Sequence, residues 1–315
     1  MIGARRAASR GVSVVVPVFN SEETLVALTD RLEPVLRSIG RPFELILVDD
    51  GSRDRSWQVV TELAKSREFV RGVALTRNYG QHNALLCGIR RARFDVCVTL
   101  DDDLQNPPEE IPALIAQLEH YDVVYGRPRR QQHGLYRDLA SSITKLVLQQ
   151  AMGADTARNI SAFRAFKTHL RDAFASYRSP LVSIDVLLTW ATTRFTAIEV
   201  RHDERKHGTS NYTMRRLVVH ALNMLTGFST LPLRLATLTG FSLTVFGVGV
   251  LLYVIGRFVI QGAVVPGFAF LASVIAIFSG AQLFALGIVG EYLGRMHMRM
   301  MDRPTYSVGS EEPSE

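Results

Sequence analysis

Only two cysteines, Cys87 and Cys97, occur in the 315 residues, too few for a disulfide framework and in keeping with a reducing compartment. His82, His120, His133 and His207 show no zinc-ligand spacing, and there is no Gly-rich phosphate loop. No stretch suggests nucleic-acid readout. The basic opening MIGARRAASR leads only into a short apolar run, 12–18, that Pro17 interrupts. It reads as a basic tail over 1–11 rather than a secretory signal. With 47% apolar residues, 21% charged and a net charge of +6, the composition suits a folded chain with an anionic partner, without saying which.

Charge is also missing over two long stretches near the end. No residue between Arg234 and Arg257 is charged, nor any between Arg257 and Glu291. At about 1.5 Å per residue, a helix over 235–256 is roughly 33 Å long, against a hydrocarbon core of about 30 Å. QGAVVPG breaks the second stretch before a further apolar run, 268–290. Together they predict a transmembrane hairpin over 233–290, with a tail over 291–315. Arg215, Arg216 and Arg234 precede the first span and Arg295, Arg299 and Arg303 follow the second, while Arg257 alone marks the connection. The positive-inside rule then places both ends, the tail and the N-terminal domain in the cytoplasm. The segment 212–232 mixes Arg and His with apolar residues and reads as juxtamembrane, interfacial helices.

The first two hundred residues alternate strand-like and helical patterns. Strands are predicted at 12–18, 43–48, 70–75, 95–100 and 122–126. Helical spacing joins Leu25, Leu28, Leu32, Val35 and Ile39, with a kink expected at Pro34, and recurs over 57–66 and 81–91. This rhythm predicts an α/β domain with a largely parallel sheet, in which ligands bind beyond the carboxyl ends of the strands. Asn20 and Ser21 follow the first strand, Asp49, Asp50, Gly51 and Ser52 the second, Arg77, Asn78 and Tyr79 the third, and Asp101, Asp102 and Asp103 the fourth.

In DDDLQNPPEE, Asn106 could cap a helix beginning at Pro107, with Glu109 completing a capping box. A helix start does not account for three adjacent carboxylates that repel one another. Asp101 and Asp103, with the amide oxygen of Gln105, offer hard oxygen ligands suited to Mg²⁺ or Mn²⁺, the shell being completed by phosphate oxygens.

The segments VVVPVFNSEETL, LILVDDGSRDRS, TRNYGQHNALLCGI, TLDDDLQNPPEEIP and ERKHGTSNY resemble glycosyltransferase family 2 in order and spacing. More narrowly they resemble its polyprenyl-phosphate glycosyltransferases. RNYGQH, LQNPPEEIP and the tail GIVGEYLGR are most similar to the branch that transfers 4-deoxy-4-formamido-L-arabinose to undecaprenyl phosphate. The resemblance covers about 12–308. It implies a GT-A fold (Rossmann-like, mostly parallel sheet) over 12–211, a nucleotide-sugar donor such as a UDP-sugar, a divalent metal, and a polyprenyl-phosphate acceptor in the cytoplasmic membrane. It also implies inversion at the anomeric carbon and a homotetramer.

By position, the resemblance places Pro17, Phe19, Asn20 and Ser52 at the nucleotide and Asp49 or Asp50 at its base. Asp101, Asp102 and Asp103 would hold metal and diphosphate, with Gln105 assisting. Arg127, Arg137, Ser141 and Arg205 would meet the acceptor phosphate, Asp103 and Arg205 acting closest to the transfer. The chain departs from the family at Phe19 and Ser21, where Tyr and Glu are usual, and at Asn211, where Lys is usual. Ala162 stands where some relatives carry a proposed catalytic Asp. A phosphate acceptor, with a second pKa near 6, is already anionic at neutral pH and needs little general-base help.

Two other readings compete. A processive polysaccharide synthase usually carries Q-x-x-R-W, but Trp57 and Trp190 follow Ser56 and Thr189. A non-catalytic membrane scaffold would have no use for the three aspartates.

Overall fold

The computed structural model describes residues 9–128, 160–179, 181–203, 230–261 and 267–313. The chain divides into two compact units, Met1–Leu217 with Asp302–Glu315, and Val218–Met301.

The first unit opens with β1 (Ser9–Val18), α1 (Leu25–Ser38), β2 (Phe43–Asp49), α2 (Ser56–Ser66), β3 (Val70–Leu75), α3 (Gln81–Arg91) and β4 (Phe94–Thr99). A 3-10 turn, Pro108–Glu110, leads into α4 (Ile111–Gln117) and β5 (Val123–Pro128). After β6 (Arg164–Lys167) come a second 3-10 segment (Thr168–Phe174), α5 (Ile184–Thr189) and β7 (Phe195–Val200). The eight-stranded sheet has the order β7-β5-β6-β4-β1-β2-β3-β8, where β8 is Val308–Glu312. β1 lies parallel to both β2 and β4, β2 to β3, and β5 to β7. β6 runs antiparallel to both β4 and β5, so β5 keeps the direction of β4. β1 to β5 and β7 therefore all end on one rim.

β-Branched runs make the central strands. Val12 to Val18 are buried, because helices cover both faces of a parallel sheet. Leu25, Leu28, Leu32 and Leu36 recur on one face of α1 and are fully buried against a core that includes Val14, Val16, Leu45 and Leu47. Each such side chain contributes roughly 1.5–3 kcal/mol relative to exposure. α1 continues through Pro34 as one uninterrupted helix rather than breaking there.

An ion pair lies deep in the core. Arg164 on β6 is 1% exposed and pairs with Asp185 on α5, which also accepts the Tyr125 hydroxyl at 2.9 Å. Burial beside that carboxylate pushes the Tyr125 phenol well above its ordinary range, so it stays a neutral donor.

The second unit holds α6 (Leu231–Gln261) and α7 (Phe268–Met300). Pro232–Ile260 and Ile277–Met300 are long and apolar enough to cross a membrane, with mean hydropathies of 2.2 and 1.3. Phe241, Phe246, Leu252, Leu283 and Phe284 are exposed on them, as expected of helices that face lipid rather than a protein core. α7 runs beyond the expected limit at residue 290, and the expected tail contains β8, which returns to the sheet of the first unit. The juxtamembrane segment lies outside the described residues up to 229; α6 begins at Leu231.

Candidate functional site at the strand-end rim

The rim is built from short turns, each tied to its neighbour. After β1 the chain leaves the extended conformation at Asn20, whose φ is 53°. The Asn20 N–H donates to the Ser52 hydroxyl at 3.0 Å, and the Arg53 N–H donates back to Asn20 Oδ1 at 2.8 Å. Gly51 sits at φ 68°, where a Cβ would lie 2.6 Å from backbone atoms of Arg77 and Asn78. Glycine is required there by both backbone shape and the close approach of the next loop. Phe19 is exposed on the rim, whereas Pro17 is buried within β1.

Asp49 and Asp50, the two alternatives for the nucleotide base, have different surroundings. Both oxygens of Asp50 are taken by the 76–80 loop, from the backbone N–H groups of Tyr79 at 2.7 Å and Gly80 at 2.8 Å. Asp49 is 3% exposed; one oxygen accepts the Ser52 N–H at 3.3 Å, while the other, Oδ1, is buried with no hydrogen-bond partner among the described residues. Burial raises the pKa of both carboxyls. A buried acceptor without a donor carries a desolvation cost that a ligand N–H would relieve.

The three aspartates diverge. Asp102 turns toward β1, accepting the Ser21 hydroxyl and, at 3.4 Å, the Phe19 N–H; burial raises its pKa. Ser21, at the position where Glu is usual, is the residue that donates this hydroxyl. Glu22, one residue later, accepts from the backbone and guanidinium of Arg55 at 3.0 and 3.1 Å. Asp101 accepts from the Gln81 amide at 2.5 Å. Leu104, with φ 60°, turns the chain so that the Gln105 N–H reaches Asp103 at 3.1 Å.

Among the described residues no cluster of three or more His, Cys, Asp or Glu side chains closes into a metal cage. Asp101 and Asp103 are partly exposed hard oxygen donors on one turn. That donor set fits a Mg²⁺- or Mn²⁺-type ion whose remaining ligands come from water and phosphate. Asp102, committed to the β1 loop, is less available to it.

The expected capping box is not formed. Asn106 is buried, Pro107 precedes the 3-10 turn, and no side chain caps it. Glu109 instead takes a two-pronged contact from Arg31 at 2.8 and 3.0 Å, and Arg31 also reaches Asp203 at 3.1 Å. The Asp203 N–H donates to the Gln105 carbonyl at 2.9 Å, so the segment after β7 is pinned to the aspartate turn. These partners lie far apart in sequence and carry no local signature. Arg127, on the same rim, pairs with Glu199 across the β5–β7 register at 2.5 Å. Arg137, Ser141 and Arg205 lie outside the described residues.

A rim of this kind, on a mostly parallel sheet with an aspartate turn after β4, fits a glycosyltransferase fold. The family model for glycosyl transferase family 2 matches residues 13–177. The undecaprenyl-phosphate 4-deoxy-4-formamido-L-arabinose transferase of Pectobacterium carotovorum is 39% identical over 303 residues, covering 95% of this chain and 93% of the relative. The enzyme of the same name from Proteus mirabilis is 38% identical, covering 94% and 92%. A crystal structure of a mycobacterial protein shares the fold, with a TM-score of 0.51 and 19% identity over 70% of this chain and 74% of that one. The chain belongs to glycosyl transferase family 2 and is a glycosyltransferase.

Proposed function

We propose that the protein transfers a sugar from a nucleotide-sugar, a UDP-sugar in the simplest case, to a polyprenyl phosphate, with inversion at the anomeric carbon. The relatives' names point to undecaprenyl phosphate as the acceptor and to 4-deoxy-4-formamido-L-arabinose as the sugar. The observation that carries the donor side is the buried, unpartnered Oδ1 of Asp49. A uracil imide N–H supplies the donor that oxygen lacks, beside the exposed ring of Phe19.

The chain's residues divide the work. Asp50 and Ser52 hold the two loops that frame the nucleotide, and Asp102 fixes the loop carrying Phe19. Asp101 and Asp103 would hold a divalent cation, which when bound stabilises the charge of the departing nucleoside diphosphate. The acceptor phosphate, already anionic, needs neutralisation and aim rather than deprotonation. Arg127, Arg137, Ser141 and Arg205 are assigned that task, guanidinium groups giving two-pronged contacts that fix the direction of attack. Arg127 would exchange Glu199 for the phosphate.

A polyprenyl tail stays in the bilayer, so the enzyme must meet the lipid head at the membrane surface. The chain leaves the first unit, passes through α6 and α7, and returns to it as β8. Two crossings put both connections on one side, and the flanking arginines favour the cytoplasmic side. The test is a panel of nucleotide sugars offered with and without undecaprenyl phosphate. Lipid-dependent release of nucleoside diphosphate from one of them is expected. No release from any of them rejects the reading.

A further inference from the structure

Leaving α7, the chain turns at Asp302 and lays a strap along the edge of the donor-side sheet. Thr305 is only 4% exposed and accepts from the Arg90 guanidinium at 3.4 Å, while that guanidinium lies 5.8 Å from the Tyr306 ring centroid. The Ser307 carbonyl accepts the Thr76 N–H at 3.0 Å. β8 then pairs antiparallel with β3, Val308 opposite Leu75 and Glu311 opposite Val73. The Glu311 carboxylate joins Arg71 and Arg91, each at 3.1 Å.

Thr76 opens the loop whose other end, Tyr79 and Gly80, is held by both oxygens of Asp50. Within the loop the Thr76 and Tyr79 hydroxyls lie 3.1 Å apart, and its middle packs backbone to backbone against Gly51. The loop is thus fixed at its far end by Asp50 and at its start by the strap. Without the strap β3 would be an edge strand, and the Thr76 N–H would lose its partner.

We propose that the 305–312 strap is a positioning element of the donor site, holding the 76–80 loop so that nucleotide affinity depends on residues that follow the membrane helices. This rests on the donor-site reading above. The strap touches no reacting atom. It acts on binding through the loop, and the step it affects is donor capture.

The test uses the full-length protein in lipid nanodiscs, with UDP and Mg²⁺ as the binding probe. Glu311→Lys sets a cation against Arg71 and Arg91 and loosens the strap; Thr305→Val removes the acceptor for Arg90. The expected result is UDP binding weakened about ten-fold in Glu311→Lys and less in Thr305→Val, as when a preorganised loop is released. The KM for undecaprenyl phosphate, and kcat at saturating donor, stay at the wild-type level. A chain ending at Asp302 should lose UDP binding and regain it when a peptide of residues 303–315 is added. Should that shortened chain fail to fold, the two point variants decide. Wild-type UDP affinity in both overturns the inference, as does a change confined to kcat or to the lipid KM. Failure of the wild-type protein to bind UDP overturns the donor-site reading itself, and this inference with it.

Discussion

Asp50 Oδ1 accepts the backbone N–H of Tyr79 at 2.7 Å, and its second oxygen accepts that of Gly80 at 2.8 Å, so one carboxylate fastens the turn after β2 to the loop after β3. Asp50→Asn keeps the shape but turns an amide NH₂ toward a backbone N–H, leaving a part-buried donor unpaired. The expected cost is about 1–3 kcal/mol of stability, read as a lower thermal midpoint, with weaker nucleotide binding. An unchanged midpoint would show that the clasp is not structural.

Asp49 answers differently, because its buried Oδ1 has no hydrogen-bond partner among the described residues. Asp49→Asn should weaken UDP binding by about ten- to a hundred-fold, the range for losing a hydrogen bond to a charged group. Burial raises the pKa of this carboxyl. Only the ionised form can accept at both oxygens, and its fraction falls as pH drops through that raised value. Wild-type binding is therefore expected to weaken as the pH falls through that raised value, and the Asn variant to lose that component. Calorimetric titration across pH checks both, and pH-independent wild-type binding would count against the assignment.

Asp103 lies on the aspartate turn, partly exposed, bonded to the Gln105 N–H and outside the core. Asp103→Asn should abolish metal-dependent turnover while leaving expression and membrane insertion nearly intact. Turnover assays beside quantification in the membrane fraction separate the two effects. Wild-type rates in the variant would defeat the metal assignment.

Arg164 tests stability apart from activity. Its guanidinium and the Asp185 carboxylate are almost wholly buried, with 2% and 9% of their side chains exposed. Arg164→Ala leaves Asp185 charged in the core with the Tyr125 hydroxyl as its remaining side-chain partner among the described residues. A loss of about 3–5 kcal/mol is expected from denaturant unfolding. A loss below 1 kcal/mol would mean water reaches the pair.

Much of this was legible in the sequence. The β-branched runs of β1 to β4 belong to strands buried on both faces, so their hydropathy alone marks them. The rule that ligands gather at strand ends then brought Asn20, Asp49, Asp50 and the three aspartates to one rim. β6 escaped notice because four residues, Arg164–Lys167, carry too little pattern, and its insertion between β4 and β5 is set by tertiary packing. β8 escaped because VGSEE is a polar edge strand, held by backbone pairing and by Glu311 rather than by burial. Glu109 suggested a local capping role, yet its partner is Arg31, reached only after folding. The division of labour within the aspartate turn depends on Ser21 and Gln81, which no spacing rule links to it.

The most direct measurement is the transfer of radiolabelled sugar from nucleotide-sugar to undecaprenyl phosphate by the purified protein, with Mg²⁺ or Mn²⁺ present and then with excess chelator. Labelled lipid that forms with the ion, disappears with chelator and returns when the ion is restored is the expected result. Undiminished labelling in chelator would contradict a cation held by Asp101 and Asp103.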